Sequence, residues 1–149
     1  MPTAESVYRQ EFPVKGGDFA KAGAVACRIK ELLKDLGLDT AIVRRAAIAA
    51  YEAEMNVIMY AREGRMDLAV SAQEVHITVD DQGPGIADVE LAMTEGFSTA
   101  TPEMRELGFG AGMGLPNIKR NSDVFYIDSR TGHGTRLKII IRTNGHGTT

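Results

Sequence analysis

The sequence predicts a two-layer α/β sandwich of the α+β class, in which a mainly antiparallel mixed sheet is covered on one face by helices. Two observations support this expectation. The periodic segments follow the order strand, helix, helix, two strands, glycine-rich segment, helix and two strands. Consecutive strands are joined by short turns, which favour antiparallel pairing, so the helices must pack on one face of the sheet.

Length and composition indicate one ordinary globular domain. A chain of 149 residues, 44% of them hydrophobic, can form a core of its own. The net charge of −3 gives no sign of the basic stripe of a nucleic-acid-binding protein. The N-terminus does not resemble a signal peptide, and no apolar run approaches the ~18 residues of a membrane span. We expect a cytoplasmic protein with no direct contact to nucleic acid or membrane, a single domain over residues 1–142 and a disordered tail over 143–149.

The first segments are a strand and an amphipathic helix. Residues 5–14 alternate loosely, as an edge strand would. Apolar residues recur at helical spacing through 18–36, with Asp18 as the expected N-cap and Gly37 as the stop. Cys27 lies among apolar neighbours in this pattern, so it is expected to be a small core residue, with a reactive thiol as the alternative.

A second, alanine-rich helix is expected from Asp39 or Thr40 to Gly64, and its alanines indicate close packing. Glu54 and Glu63 are expected at solvated positions of this helix. The later segments are two strands, a short helix, a long loop, a further helix and two final strands. Their expected ranges are 66–72, 74–80, 88–95, 96–114, 115–122, 124–130 and 135–142.

Glu52 and Asn56 form the first candidate for chemistry. They lie four residues apart on the second helix, so they project from one face, a turn from each other. Solvated helix surfaces carry such pairs routinely. Three alanines at helical steps place this pair beside the packed stripe, where polar groups usually have partners or a task; they are Ala46, Ala49 and Ala53.

Asp81 begins the second candidate, the segment DQGPG, which comes directly after a strand. Such a segment is also good turn material. A carboxylate at a strand end can, however, accept a hydrogen bond from an exocyclic amine, and Gly83 and Gly85 allow the backbone to lie against a flat ring. Adenine offers such an amine.

The third candidate is the segment GFGAGMGLPNIKR, in which every second residue from Gly108 to Gly114 is glycine. A flexible surface loop is one interpretation. Backbone N–H groups at a helix start also form a favourable place for phosphate oxygens. The segment is not a Walker A loop, since no Gly-Lys-Ser/Thr follows, and its spacing differs from the Rossmann fingerprint.

In order along the chain stand E-x-x-x-N on a helix, D-x-G-x-G after a strand, G-x-G before a helix and the late pair Gly134-Thr135. They reproduce the N, G1, G2 and G3 boxes of the Bergerat-fold (GHKL) ATPases, which the chain resembles over about residues 10–142. Members of this family bind ATP between helices and sheet under a mobile lid. The short bacterial anti-sigma factors and serine-protein kinases of the RsbT, RsbW and SpoIIAB types fit best. The phrases DQGPGI, EGFST and GMGLPNIKR look most like the RsbT-type switch kinase.

The resemblance implies a role for each matching residue. Glu52 would be the general base for a serine hydroxyl, Asn56 a ligand of the nucleotide and of Mg²⁺, and Asp81 the acceptor for the adenine amino group. Lys119 and Arg120 would lie near the phosphates or on a solvated helix face. The other positions implied to line the nucleotide pocket are Gly83, Gly85, Ile86, Gly110, Gly112, Met113, Gly114, Leu115 and Thr135.

Two positions depart from the pattern of the sporulation anti-sigma kinases. Gly110 stands where they have an arginine, so a cation for the transferred phosphoryl group would have to come from Arg105, Lys119 or a partner. Tyr60 stands where many relatives have histidine, again as in the RsbT type.

On this resemblance we expect an ATP- and Mg²⁺-dependent protein-serine kinase that acts on a STAS-domain antagonist in a partner-switching stress or signalling pathway. The first alternative is an anti-sigma factor that sequesters a sigma factor, with phosphorylation secondary or lost. The second is a nucleotide-gated adaptor that activates a PP2C-type phosphatase. The pair of Glu52 and Asn56 favours the kinase, since binding alone needs no base. The sequence leaves the oligomeric state open, with a homodimer as one alternative.

Overall fold

The computed structural model describes residues 7–83, 85, 91, 93–94, 114–130 and 132–143. Within these ranges the chain forms three α-helices and five strands. The helices are α1 (Ala24–Asp35), α2 (Thr40–Tyr60) and α3 (Gly114–Arg120). The strands are β1 (Tyr8–Lys15), β2 (Glu63–Val70), β3 (Glu74–Asp81), β4 (Val124–Arg130) and β5 (Gly134–Arg142).

The strands form one sheet in the order β1-β2-β3-β5-β4, and each neighbouring pair is antiparallel. The predicted two-layer sandwich is confirmed. The sheet was expected to be mixed, but all strand pairs among the described residues are antiparallel. Alternate residues of β2, β3 and β5 are buried, so one face of the sheet meets the helices. β3 lies at the centre, so its end has a neighbouring strand on each side.

Helix α2 packs closely against the sheet and α1, as its alanine content predicts. Four of its alanines are inaccessible to solvent, which lets the helix approach its neighbours: Ala46, Ala49, Ala50 and Ala53. Large fully buried side chains come from α1 and the sheet, and they include Ile29, Leu33, Met66, Ile77, Leu137 and Ile139. Burying a side chain of this size stabilises the fold by about 1.5–3 kcal/mol.

The predicted first helix consists of two elements. A 3₁₀ turn covers Phe19–Lys21, and α1 begins after Gly23, whose φ is 92°. This left-handed conformation suits glycine and interrupts the helical path. Asp18 takes the N-cap position of the 3₁₀ turn and not of α1, and its side chain makes no capping hydrogen bond. Cys27 is exposed and not in the core, because it lies on the solvent-facing side of α1.

Glu54 caps α1 from the neighbouring helix. The prediction of a solvated position is wrong, since the residue is only 2% exposed. Its Oε1 accepts the backbone N–H of Ala26 at 2.9 Å, and its Oε2 accepts those of Gly23 and Val25 at 3.2 Å. N–H groups of a first turn have no partner inside their own helix, and an anion is favourable there. The buried carboxylate therefore holds the start of α1 against α2.

Helix α2 ends at Tyr60 and not at Gly64 as predicted. Ala61 has an extended backbone, with φ of −109° and ψ of 161°. Glu63 already pairs with Lys15 in the sheet, so it is exposed on β2 and not on the helix.

The second half of the chain follows the expected order. β4 has the predicted bounds, while α3 and β5 each begin one residue early, at Gly114 and Gly134. Thr143 donates its N–H to the carbonyl of Gln73 at 2.9 Å, and the rest of the expected tail lies outside the described residues. So do most of the helix predicted at 88–95 and the loop up to α3. Across the part of the chain that is described, no helix is both long and apolar enough to cross a membrane.

Candidate functional site

Asp81, the last residue of β3, has one carboxylate oxygen held by two backbone groups. Its Oδ1 accepts the N–H of Gly83 at 3.0 Å and the N–H of Thr135 at 3.1 Å. Both bonds converge on Oδ1, so they do not use the acceptor sites of Oδ2. Burial, the largest effect, raises the pKa of Asp81 above its ordinary value, while the two N–H groups act in the opposite direction. The result is an oriented acceptor at the end of a central strand.

Thr135 stands beside Asp81 on β5 and is buried. Its Oγ1 lies 2.8 Å from the Oγ of Ser129 on β4, which also donates to the carbonyl of Gly134 at 3.3 Å. Gly134 has a φ of 84°, and a Cβ there would collide with the carbonyl oxygen of Asp81. Glycine therefore allows β5 to approach β3 at the point where Thr135 meets the carboxylate.

Glu52 on α2 contacts α3, the helix that begins at Gly114, the last of the four alternating glycines. Its Oε2 accepts a hydrogen bond from Nδ2 of Asn117 at 3.0 Å. Its Oε1 lies near Gly114, where a Cβ would be 3.6 Å away. Glu52 and Asn56 are both partly exposed, so neither is a closed core position. The structure thus brings Glu52, one residue of the first candidate pair, next to Gly114 at the end of the glycine-rich segment.

The two halves of the candidate site are joined along α2. Gly83, just after Asp81, packs against the end of this helix, since a Cβ on it would lie 3.1 Å from the carbonyl oxygen of Tyr60. The helical rise places Tyr60 about 12 Å along the axis from Glu52, with Asn56 midway. Polar groups therefore extend along α2 from the region of Asp81 to the start of α3. A nucleoside triphosphate can extend over such a length.

The chain matches the family model of the histidine kinase-like ATPase domain over residues 18–141. It belongs to this family. The predicted resemblance to the Bergerat-fold ATPases is therefore confirmed.

Relatives of this histidine kinase-like ATPase include a kinase and anti-sigma factors. It is 34% identical over 115 residues to the Serine/threonine-protein kinase RsbT of Bacillus subtilis, an alignment that covers 74% of this chain and 80% of the relative. It is 32% identical over 96 residues to an Anti-sigma F factor of Thermoanaerobacter, covering 61% of this chain and 64% of the relative. The predicted similarity to the kinase and anti-sigma group is confirmed.

Two solved structures share the fold. The RsbU and RsbW domains of a Mycobacterium tuberculosis protein match with a TM-score of 0.62 and 16% identity, over 91% of this chain and 32% of that chain. The mycobacterial sensor histidine kinase MprB matches with a TM-score of 0.51 and 19% identity, over 88% of this chain and 97% of that chain. At these identities the likeness concerns the fold alone.

The other predicted pocket residues of this ATPase family member are described in part. Gly85 has a φ of 80°, which agrees with a turn after β3. Leu115 is buried in the core, so its side chain contributes to packing. Lys119 and Arg120 are exposed on α3, which agrees with the solvated helix face. The positions that lie outside the described residues are Ile86, Arg105, Gly110, Gly112 and Met113.

A cavity of about 200 Å³ opens at the same end of the sheet. Asp80 and Arg136 line it and form an ion pair at 3.5 Å. Because side chains alternate along a strand, these two point to the face opposite to that of Asp81 and Thr135. The cavity thus extends to the face of the sheet opposite to the one that the helices cover. Its lining is Asp80, Asp81, Asp128, His133, Gly134, Thr135 and Arg136.

Asn56 offers a hard amide oxygen that suits Mg²⁺. Among the described residues, no group of three or more His, Cys, Asp or Glu side chains is placed to hold a metal ion. Mg²⁺ is usually bound through one or two protein ligands together with substrate phosphates and waters, and seldom by an all-protein cage. A single amide oxygen beside a triphosphate therefore fits this ion.

Two contacts next to the site were missing from the sequence prediction. One is the bond from Asn117 to Glu52, which depends on how α2 and α3 pack, and no local pattern signals it. The other is the contact of Ser129 with Thr135. The register of the predicted final hairpin contains that signal, because Ser129 and Thr135 are direct partners across β4 and β5.

Proposed function

We propose that this chain is an ATP- and Mg²⁺-dependent protein-serine kinase that phosphorylates a STAS-domain antagonist in a bacterial partner-switching pathway. The observation that supports it most is the row of polar groups along α2. This row runs from the carbonyl oxygen of Tyr60, near Asp81, through Asn56 to Glu52. One end suits a purine, and the other suits a transferred phosphoryl group. The similarity to a relative named Serine/threonine-protein kinase RsbT agrees with this proposal.

In this proposal Asp81 recognises the purine. Because Oδ1 is held by the N–H groups of Gly83 and Thr135, Oδ2 accepts the exocyclic amino group of adenine. Guanine has a carbonyl oxygen at that position, which a carboxylate repels, so the site selects ATP over GTP. The remaining nucleotide contacts are proposed for Gly85, Ile86, Gly110, Gly112, Met113, Gly114 and Leu115.

Glu52 is the proposed general base. Its Oε1 accepts the proton of the substrate serine as the serine oxygen forms a bond to the γ-phosphorus. The bond from that phosphorus to its bridging oxygen breaks, and ADP leaves. Asn56 would hold Mg²⁺, which neutralises charge on the phosphates when bound. The chain's own contribution is thus to orient the nucleotide and to receive one proton.

The test is incubation with γ-labelled ATP and the STAS-domain proteins encoded near the gene. The wild-type chain should place label on a serine. Glu52→Gln, which keeps the shape of the side chain, should reduce transfer by about 10²- to 10⁴-fold while ATP affinity is unchanged. Glu63→Gln makes the same change at an exposed position of β2 and should have no effect. Full transfer by Glu52→Gln would refute Glu52 as the base.

The relatives named Anti-sigma F factor favour a second candidate, the sequestration of a sigma factor. Absence of label on every STAS protein, together with nucleotide-dependent binding of a sigma factor, would replace the kinase by this candidate. Nucleotide-dependent activation of a PP2C-type phosphatase would instead support an adaptor. We propose a cytoplasmic location for each of these activities, and sedimentation in the presence of nucleotide tests whether the chain is a homodimer.

A further inference from the structure

The side-chain amide of Asn117 lies between the carboxylate of Glu52 and the guanidinium of Arg120. Its Nδ2 donates to Oε2 of Glu52 at 3.0 Å, and its Oδ1 accepts from Nη1 of Arg120 at 2.8 Å. Glu52 is on α2, whereas Asn117 and Arg120 are on α3, directly after the glycine segment. Each end of the amide therefore meets a charged group of matching hydrogen-bonding capacity.

Arg120 determines which way this amide points. A guanidinium has only donors and must face the amide oxygen, while a carboxylate has only acceptors and must face the NH₂ group. Turning the amide by half a rotation would place donor against donor and acceptor against acceptor. The three side chains therefore favour one arrangement, in which an N–H of Asn117 is directed at Glu52.

The bond to Asn117 gives the two oxygens of Glu52 different surroundings. Oε2 receives the amide N–H, whereas Oε1 lies near Gly114, which has no side chain to cover it. Leu115 and Ile118 are buried and anchor α3 in the core. Asn117 is thus held on a helix, α3, that is anchored in the core. Its bond to Oε2 leaves Oε1 of Glu52 free to face Gly114.

We propose that Asn117 is the positioning residue for Glu52 and that Arg120 orients its amide. The inference rests on the proposed kinase function, because it concerns how the base of that reaction is held. The helix that continues from the glycine segment thereby sets the direction of Glu52 relative to the phosphates. Nucleotide binding does not require this bond, so removing it should lower kcat and leave KM for ATP nearly unchanged.

Two substitutions of similar shape separate positioning from packing. Asn117→Leu removes the donor, and a misdirected base should lower kcat about 10- to 100-fold. Asn117→Asp places a carboxylate against Glu52 and should lower kcat further, because like charges repel. A packing role alone would give the two variants similar kcat values. Wild-type kcat in Asn117→Leu would overturn the inference.

Asn121→Ala is the matched control, at the residue that directly follows α3. It also removes an amide, whose Nδ2 donates to the backbone carbonyl of Asn117 at 2.8 Å at the end of α3. It should leave kcat unchanged, since it does not contact Glu52. A fall in kcat equal to that of Asn117→Leu would assign the effect to the stability of α3 and overturn the positioning role.

Arg120→Ala distinguishes an action through Asn117 from a direct contact with phosphate. If Arg120 orients the amide, its removal lowers kcat in the wild-type background but not in Asn117→Leu. Additive losses would contradict this part of the inference. Equal kcat values for Arg120→Ala and wild type would contradict it as well.

A nucleotide-free measurement makes the inference independent of turnover. In NMR spectra, the side-chain amide resonances of Asn117 are assigned as those that disappear in Asn117→Leu. These resonances should shift in Glu52→Gln and in Arg120→Ala. The side-chain resonances of Asn121 should not shift in Glu52→Gln. Unshifted Asn117 resonances in both variants would overturn the inference. A wild-type chain without kinase activity would refute the proposed function, whereas unshifted Asn117 resonances, or an active wild type with a fully active Asn117→Leu, would refute the inference alone.

Discussion

Thr135 donates its backbone N–H to Oδ1 of Asp81 over 3.1 Å, at a position where the two residues are direct partners on β5 and β3. Two motifs that are far apart in the sequence therefore meet at one carboxylate oxygen. Gly83 reaches the same oxygen from the following turn. The sheet orients this acceptor before any nucleotide binds, which reduces the cost of ordering it on binding.

Asp81→Asn is expected to stabilise the nucleotide-free chain at pH 7. Burial raises the pKa of Asp81 in the folded state, so the charged form costs stability above that pKa. The cost disappears as the pH falls below the unfolded-state pKa of about 4. Asparagine keeps an oxygen for Gly83 and Thr135. Thermal unfolding should show Tm raised by about 1–3 °C at pH 7 and no difference in acid; a lower Tm at pH 7 would contradict this.

Ser129→Ala is expected to weaken ATP binding without abolishing it. The Oγ of Ser129 lies 2.8 Å from Oγ1 of Thr135, so its loss removes a hydrogen bond that orients the threonine hydroxyl at the predicted nucleotide pocket. One neutral hydrogen bond is worth about 1 kcal/mol, which corresponds to roughly a fivefold loss of affinity. Ser122→Ala, which removes a bond to the carbonyl of Ile118, is the control. Equal affinities of the two variants would argue against an ordering role for Ser129.

Glu54→Gln is expected to destabilise the fold more than a surface substitution does. Its carboxylate accepts three backbone N–H groups at the start of α1, and a glutamine NH₂ would oppose at least one of them. We expect a loss of about 2–3 kcal/mol in the free energy of unfolding, measured in urea. Glu63→Gln, at an exposed position of β2, should be nearly neutral. A neutral Glu54→Gln would mean that the cap does not hold α1.

Asp123 is expected to contribute stability that is lost in acid. Desolvation opposes its ionisation, but the N–H of Arg142 and the guanidinium of Arg45 outweigh it and lower the pKa of Asp123. The contribution is present above the unfolded-state pKa of about 4 and is lost as the pH falls through the folded-state value.

Asp123→Asn should therefore lower Tm at pH 7 by only about 1–3 °C, because the residue is exposed. The difference from wild type should vanish once the pH has fallen below the lowered folded-state pKa of Asp123. A difference that persists unchanged in acid would assign it to packing and not to the charge.

Most of the fold follows from the sequence because its signals are local. Alternation and short turns predict the antiparallel sheet, and the alanines of α2 predict close packing. The break at Gly23 was missed, since glycine within a helical pattern is often tolerated. Glu54 was misplaced for another reason: helical spacing gives its face, but its partners are N–H groups of α1 that only the packing of two helices brings near.

The candidate site divides in the same way. Glu52, Asn56 and Asp81 stand in recognisable spacings, so their types and their order along the chain suggested them. The contact of Asn117 with Glu52 joins α3 to α2, and its geometry depends on tertiary packing that no window of sequence contains. Ser129 is intermediate, because the hairpin register places it opposite Thr135.

Calorimetric titration with ATP in the presence of Mg²⁺ gives the sharpest test of whether the carboxylate of Asp81 recognises adenine. Wild type should bind ATP in preference to GTP. Asp81→Asn should lose about 10- to 100-fold in ATP affinity although it remains folded, because the amide presents a donor where the purine needs an acceptor. Wild-type affinity for ATP in Asp81→Asn would contradict the account.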